Sequence, residues 1–375
     1  MRIGLDGIPL ASAKTGIGHY TLELARALAT IDPHDEFELV SPFAFNSSSF
    51  NEDLPANLKK IEARRRKFWW AVGLPLYMRR SATSLFHGTN YEIPLLSRCP
   101  TILSIHDLSQ LLYPQTHLAQ SVRRARYRLP LMARAATKII TATEYVKKEV
   151  VQHLKVDPAK IAVTPYAPRR MFGPLSHSET DETRTRLGIE ENFILFVGTI
   201  EPRKNLITLL RALSEILRTT ELRPQLVIAG QEGWLTGETM NYVESERLGE
   251  RVKFTGYITD EDLRALYACC TVCVYPSLYE GFGLPPLEAM ASGAPVISSN
   301  VPSLSEAVGK AAQLVPPTDI QKLAQAIVEM IRNETKRSHF SRAGLYHASQ
   351  FIWERTARLT LEIYRGCLLQ DTHPV

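Results

Sequence analysis

The sequence has no long apolar run. Nothing in its 375 residues keeps up the roughly 20 apolar positions that a membrane-crossing helix requires. The stretch after Met1 also lacks the basic segment, apolar core and small-residue cleavage site of a secretory signal. A cytoplasmic protein, soluble or peripheral at the inner membrane face, is the expectation. Cysteine is scarce and odd in number: Cys99, Cys269, Cys270, Cys273 and Cys367, three of them crowded into one apolar segment. That is no disulfide framework. Cys270 and Cys273 form a C-x-x-C, but no second ligand pair accompanies them, and Val272, Val274 and Tyr275 read as a buried strand. Core thiols are expected there, not a zinc or redox site.

Acidic residues are thin in the first part of the chain. Residues 1–170 hold 24 Lys and Arg against 14 Asp and Glu, a net of +10 in a chain whose total is +5. The excess gathers in Arg64-Arg65-Arg66-Lys67 beside Phe68-Trp69-Trp70, in Arg79-Arg80, and in Arg123, Arg124, Arg126 and Arg128. Basic clusters next to aromatics suit an anionic membrane surface or a phosphate-bearing acceptor, and nucleic acid is not an expected partner. Core burial of Phe68, Trp69 and Trp70 beneath solvated arginines fits the same letters equally well.

What is present is a β-α rhythm. Apolar runs at 3–5, 101–105 and 138–141 alternate with helical patterns at 18–29, 118–136 and 144–154, as in a parallel sheet. The rhythm restarts at 193–197 and continues through a helix at 205–217, strands at 226–229 and 252–255, a helix at 260–268 and a strand at 272–275. The length also favours two cores. The expected division is a first Rossmann-like domain over 1–170, a linker over 171–190 with Pro, Gly and polar residues, a second such domain over 191–350, and a C-terminal helix over 351–375. Thr259 should cap the helix after it, with Asp262 answering from three residues on.

Two segments carry chemistry. Pro276-Ser-Leu-Tyr-Glu-Gly-Phe-Gly-Leu-Pro-Pro-Leu-Glu288 places Glu280 in a loop at a strand's carboxyl end and Glu288 one turn into the next helix. A carboxylate accepts two hydrogen bonds side by side, which matches the vicinal hydroxyls of a ribose or hexose. Gly281 and Gly283 let backbone approach a ligand, and amides near Phe282 to Leu284 suit an anion. Val197-Gly-Thr-Ile-Glu-Pro-Arg-Lys-Asn205 runs from a strand end into a helix. Gly198 opens the loop, Arg203 can clamp phosphate oxygens in a planar fork, and Lys204 adds a point charge. A solvated basic turn is the plain alternative. In the first domain, Gly16 and Gly18 in the loop Lys14 to Tyr20, and His106 in Ser104-Ile-His-Asp-Leu108, stand at strand ends. A tight turn and a structural histidine are the plain readings of those two.

The segment from Glu280 to Glu288, an E-x7-E, resembles the signature of the retaining GT-B glycosyltransferases, in the large GT4-like family that includes bacterial mannosyltransferases. The resemblance covers nearly the whole chain. It implies two Rossmann-like, doubly wound domains facing a central cleft, with the C-terminal helix crossing back to the first. It assigns Glu288 to the donor ribose, Glu280 to the transferred sugar, Arg203 and Lys204 to the diphosphate, and His106 to the donor-sugar pocket; Gly16 and Gly18 would let their loop lie close to the donor phosphates or the acceptor, the first domain binding the acceptor and the second the donor. The cation pair would replace a divalent metal, so neither metal nor cofactor is expected. GDP-mannose is the first choice of donor and a UDP-sugar the second. The acceptor would be a glycan or a lipid-linked glycan in polysaccharide assembly. An oxidoreductase is disfavoured because Gly16-Ile-Gly18 is followed by His19-Tyr20-Thr21, where a third glycine is needed. A sugar-nucleotide epimerase or phosphorylase of the same architecture, and a non-catalytic sugar-binding or membrane-scaffold protein, are the remaining alternatives.

Overall fold

The computed structural model describes residues 1–12, 16–47, 50, 53–63 and 67–371. It contains two parallel sheets. The first holds β1 (Arg2–Asp6), β2 (Glu36–Ser41), β3 (Leu58–Glu62), β4 (Leu85–Gly88), β5 (Thr101–Ser104), β6 (Lys138–Thr141) and β7 (Ile161–Val163), in the order β3-β2-β1-β4-β5-β6-β7. The second holds β8 (Phe193–Val197), β9 (Gln225–Ala229), β10 (Val252–Gly256), β11 (Val272–Tyr275), β12 (Val296–Ser299) and β13 (Gln313–Val315), in the order β10-β9-β8-β11-β12-β13. Central strands such as β8 and β11 are buried throughout and so read as unbroken apolar runs. The edge strand β3 instead exposes Lys59 and Lys60, cations that discourage pairing with another sheet.

The chain divides into two compact units, each drawing on two or more stretches of sequence. The first comprises residues 1–108, 123–167 and 352–375, the second 109–122 and 168–351. The expected 171–190 linker lies wholly inside the second unit and contains the helix His177–Arg186. That helix has no apolar stripe to reveal it. It is fixed instead by a capping box, in which the Glu179 carboxylate accepts from the Ser176 amide at 2.9 Å, and by an ion pair of Arg186 with Asp262. The same pair overturns half of the cap expected at Thr259. Thr259 Oγ1 accepts from the Asp262 amide at 3.1 Å, but the Asp262 carboxylate turns to Arg186 rather than back to the cap.

The last helix, Trp353–Asp371, packs in the first unit. Trp353 and Tyr364 are fully buried, the Tyr364 hydroxyl lies 2.6 Å from His87 Nδ1, and Thr356 donates to the Pro165 carbonyl at 2.6 Å. The basic-aromatic patch resolves into parts. Trp69 is core, packed with Val40, Leu74, Met78 and Phe86, and Trp70 is half-buried against them, whereas Phe68 is 78% exposed. Arg64, Arg65 and Arg66 lie outside the described residues. Cys270, Cys273 and Cys367 are buried and every cysteine is a free thiol. Among the described residues no helix is long and apolar enough to cross a membrane.

Candidate functional site

In the second sheet the strand order reverses between β8 and β11, and ligands of open α/β sheets gather at the carboxyl ends of strands on either side of such a point. Both motif loops emerge there. After β8 the chain makes a short turn at Pro202–Lys204, passes through Asn205 in the left-handed region (φ 58°), and enters the helix Leu206–Thr219. After β11 it runs through Glu280 and enters the helix Leu284–Ala291. The loops are stitched together: the Leu278 amide donates to the Arg203 carbonyl at 2.9 Å, and Asn205 Nδ2 donates to the Pro276 carbonyl at 2.9 Å.

Two glycines are required by geometry. A Cβ on Gly230, at the end of β9, would stand 2.0 Å from the Gly198 carbonyl oxygen, so the backbones after β8 and β9 approach as only glycine permits. Gly283 has φ 107°, and a Cβ there would meet Leu304 at 2.4 Å. Of the first three residues of the helix after it, only Leu284 keeps an N–H, since Pro285 and Pro286 have none. The Phe282 ring is buried, its centroid 6.0 Å from that of Phe351.

Glu280 is the hub. Its Oε1 accepts from Lys204 Nζ at 2.6 Å, from Ser277 at 2.8 Å and from the Tyr275 hydroxyl at 3.1 Å, and its Oε2 accepts from Arg203 Nη1 at 2.9 Å. Burial alone would push this carboxyl up. Arg203, Lys204 and the donated hydrogen bonds outweigh it and hold the group down to about 2. Arg203 also pairs with Glu201 at 2.5 Å, and burial raises Glu201 against the pull of Arg203 and Lys204. Ser303 donates to the Glu280 carbonyl. The two cations and two acids thus balance within a largely buried cluster.

Glu288 has a different partner. Its carboxylate takes both prongs of the Arg169 guanidinium, at 2.7 Å from Nε and 3.2 Å from Nη2, while Nη1 of the same arginine reaches Asp260 at 2.6 Å. The expectation of no metal also takes the chain to lack an Asp-x-Asp, and that is corrected here: Asp260-Glu261-Asp262 is one. Here the pair is split between Arg169 and Arg186, and among the described residues no three His, Cys, Asp or Glu side chains are grouped to hold a metal. Residues 109–122 border the same loops, with the Tyr113 ring 5.0 Å from that of Tyr279 and Trp234 donating to the Thr116 carbonyl at 2.8 Å.

The sequence-predicted residues therefore fall into two sets. Gly198, Arg203, Lys204, Glu280, Gly281, Phe282, Gly283, Leu284 and Glu288 all lie in the second unit, and Arg203, Lys204 and Glu280 touch. Gly16, Gly18 and His106 lie in the first. Gly16 and Gly18 belong to the first turn of the helix Gly16–Ile31 rather than to a loop; Lys14 and Thr15 lie outside the described residues. His106 is buried with both nitrogens engaged: Nδ1 is 2.7 Å from the Tyr166 hydroxyl and Nε2 is 2.7 Å from the Thr89 carbonyl. A carbonyl only accepts, so Nε2 carries the proton. Burial lowers the pKa of the ring, against the Thr89 bond and Asp107. Sequence reasoning missed Arg169, Glu201, Tyr275, Ser277 and Ser303. Tyr275 and Ser277 stand in the motif's own strand and loop and were open to inference; Arg169 carries no local signal.

Two parallel sheets, with an acid-cation cluster at the reversal point of the second, define a GT-B glycosyltransferase. Residues 14–167 match Glycosyltransferase Family 4, and residues 179–345 match Glycosyl transferases group 1. The O-antigen chain mannosyltransferase B of Escherichia coli is 31% identical over 386 residues, covering 97% of this chain and 100% of that protein. The chain belongs to this family of glycosyltransferases. Among solved structures, sucrose-phosphate synthase from Thermosynechococcus elongatus shares the fold with a TM-score of 0.79 at 24% identity, over 98% of each chain. Anabaena HepE in complex with UDP-glucose shares it with a TM-score of 0.77 at 20% identity, over 97% of this chain and 99% of that one.

Proposed function

We propose that this glycosyltransferase moves a hexose, mannose in the first instance, from a nucleoside diphosphate sugar to a glycan or lipid-linked glycan with retention of anomeric configuration. GDP-mannose is the preferred donor and a UDP-sugar the second. The observation that carries the reading is the contact of Glu280 with both Arg203 and Lys204. It sets a sugar-hydroxyl acceptor beside two diphosphate-binding cations, as transfer of a sugar away from a diphosphate demands. Glu288 accepts from the ribose, the Arg203-Lys204 pair takes the charge-stabilising task of a metal, and the acceptor falls to the first unit. The acceptor hydroxyl attacks from the face that the diphosphate leaves, the anomeric C–O bond to phosphate breaks, and the departing phosphate takes the hydroxyl proton. Similarity to an O-antigen mannosyltransferase supports mannose and polysaccharide assembly.

The test is incubation with GDP-mannose, or a panel of UDP-hexoses, and a mannosyl glycan, with the product anomer read by NMR. Retention is expected; an inverted anomer removes the front-face mechanism, and activity that requires added divalent metal removes the role given to the cation pair.

A second element of the reading is peripheral attachment at the cytoplasmic face of an anionic membrane. Phe68, Val72 and Leu76 are exposed at four-residue intervals, followed by Arg79 and Arg80, an arrangement suited to the lipid headgroup region. Flotation with phosphatidylglycerol vesicles at low salt should retain the wild type and release a Phe68→Ser/Leu76→Ser variant.

A further inference from the structure

We propose that Arg169 is a positioning residue which, acting through Glu288, gives the donor site its preference for ribonucleotides over deoxyribonucleotides. The inference rests on the reading of Glu288 as the ribose-binding carboxylate. Three observations carry it. Arg169 is only 6% exposed, and a guanidinium is costly to bury unless it is fully matched. Its planar fork takes both oxygens of Glu288, at 2.7 and 3.2 Å. The remaining edge and one face are also held: Nη1 by Asp260 at 2.6 Å, and the guanidinium carbon by the Phe172 ring, 4.4 Å from its centroid.

An arginine fixed on three sides fixes the plane of the carboxylate it grips. Each carboxylate oxygen has two lone-pair positions, so the fork leaves one on each oxygen of Glu288 for a second donor. Two such positions held in one plane suit two hydroxyls on adjacent carbons. A 2′-deoxyribose offers one hydroxyl and leaves a desolvated acceptor unmatched. Without Arg169 the Glu288 carboxylate is free to rotate about its last torsion, and the distinction between one hydroxyl and two weakens. Asp260 supports this by gripping the third nitrogen of the guanidinium, which keeps the fork from turning away from Glu288. The arginine lies just past the chain's passage into the second unit at 167/168, far in sequence from the motif it serves.

The experiment is calorimetric titration of wild type, R169K, R169Q and E288Q with GDP, UDP, their 2′-deoxy counterparts and inorganic pyrophosphate. The wild type is expected to prefer the ribo form of its base by about tenfold or more, the scale of a hydrogen bond to a charged group. R169K keeps the charge but not the fork, and it should lose most of that preference, as should R169Q. Pyrophosphate affinity, which reports on Arg203 and Lys204, should be unchanged. E288Q should lose the preference alone, with nothing further lost on adding R169K. A ribo preference that survives in R169K and R169Q, or a matching loss of pyrophosphate binding, overturns the role of Arg169. A wild type that binds neither GDP nor UDP instead removes the nucleotide-sugar reading itself, and this inference with it.

Discussion

The Lys204 ammonium stands 2.6 Å from Glu280 Oε1, so a charge assigned to a leaving diphosphate is matched to a buried acid within the protein itself. Lys204 also donates to the Tyr275 hydroxyl at 2.7 Å, which in turn donates to Glu280. The cation is thereby held in one place, and its field is set before any ligand charge develops.

Replacing Glu280 by Gln tests that coupling. The Glu280 carboxyl falls from 4.5 to about 2 on folding, so its ionised form contributes stability that is complete above pH 4.5 and is lost as pH falls toward 2. Urea unfolding across that window should show the wild type losing on the order of 3 kcal/mol that the Gln variant never had. At pH 7, kcat should drop at least about a hundredfold, while nucleoside diphosphate affinity holds or rises because a nearby negative charge is gone.

Arg203→Gln should act on phosphate alone. Nucleoside diphosphate binding is expected to weaken about tenfold to a hundredfold, the range for a charge-assisted hydrogen bond. The free nucleoside should bind as it does to wild type, and isothermal titration with both ligands separates the two. Equal weakening of both would place Arg203 in general support of the loop.

Glycine replacements should differ sharply by position. Gly230→Ala brings a Cβ against a backbone oxygen that has nowhere to move, and a loss of about 2 kcal/mol or more is expected by denaturant titration. Gly16→Ala meets nothing within 4 Å and opens a helix, so stability should be unchanged or rise by up to about 1 kcal/mol. Any activity lost in that variant then reports contact with a ligand.

His87 supplies a pH test in the first unit. Burial, with a smaller contribution from His106, pushes its ring down from 6.5 to about 3. The unfolded chain therefore takes up a proton that the folded protein refuses. Stability is full above pH 6.5 and declines as pH falls from there toward 3. An uncharged His87→Asn variant should show a shallower slope below pH 6.5, whatever its starting stability.

The legible parts of this molecule were those with local causes. Strands 138–141, 193–197 and 272–275 and the helix 144–154 were read to the residue, because buried parallel strands are unbroken apolar runs and Thr143 caps that helix. The cluster of Arg203, Lys204 and Glu280 was legible because each residue sits at a strand end in a motif. Strand β3, Leu-Lys-Lys-Ile-Glu, was missed, since an edge strand buries too little to show a pattern. Helix His177–Arg186 was read as linker because a capping box and the ion pairs of Arg184 with Asp181 and Arg186 with Asp262, rather than an apolar face, hold it. Arg169 was invisible for a related reason: its partners lie 91 and 119 residues further on, and nothing local sets it apart from the adjacent Arg170 in a proline-rich stretch.

The membership of the last helix has a consequence for biosynthesis. Residues 352–375 complete the first unit, yet the ribosome makes them only after the whole of the second unit has been translated. Until then His87 has no Tyr364 hydroxyl and Tyr20 no Trp353 ring beside it. The N-terminal portion cannot finish folding in order of synthesis, as N-terminal domains usually do. A nascent chain stalled before residue 352 should remain open to protease in its first half while the second resists.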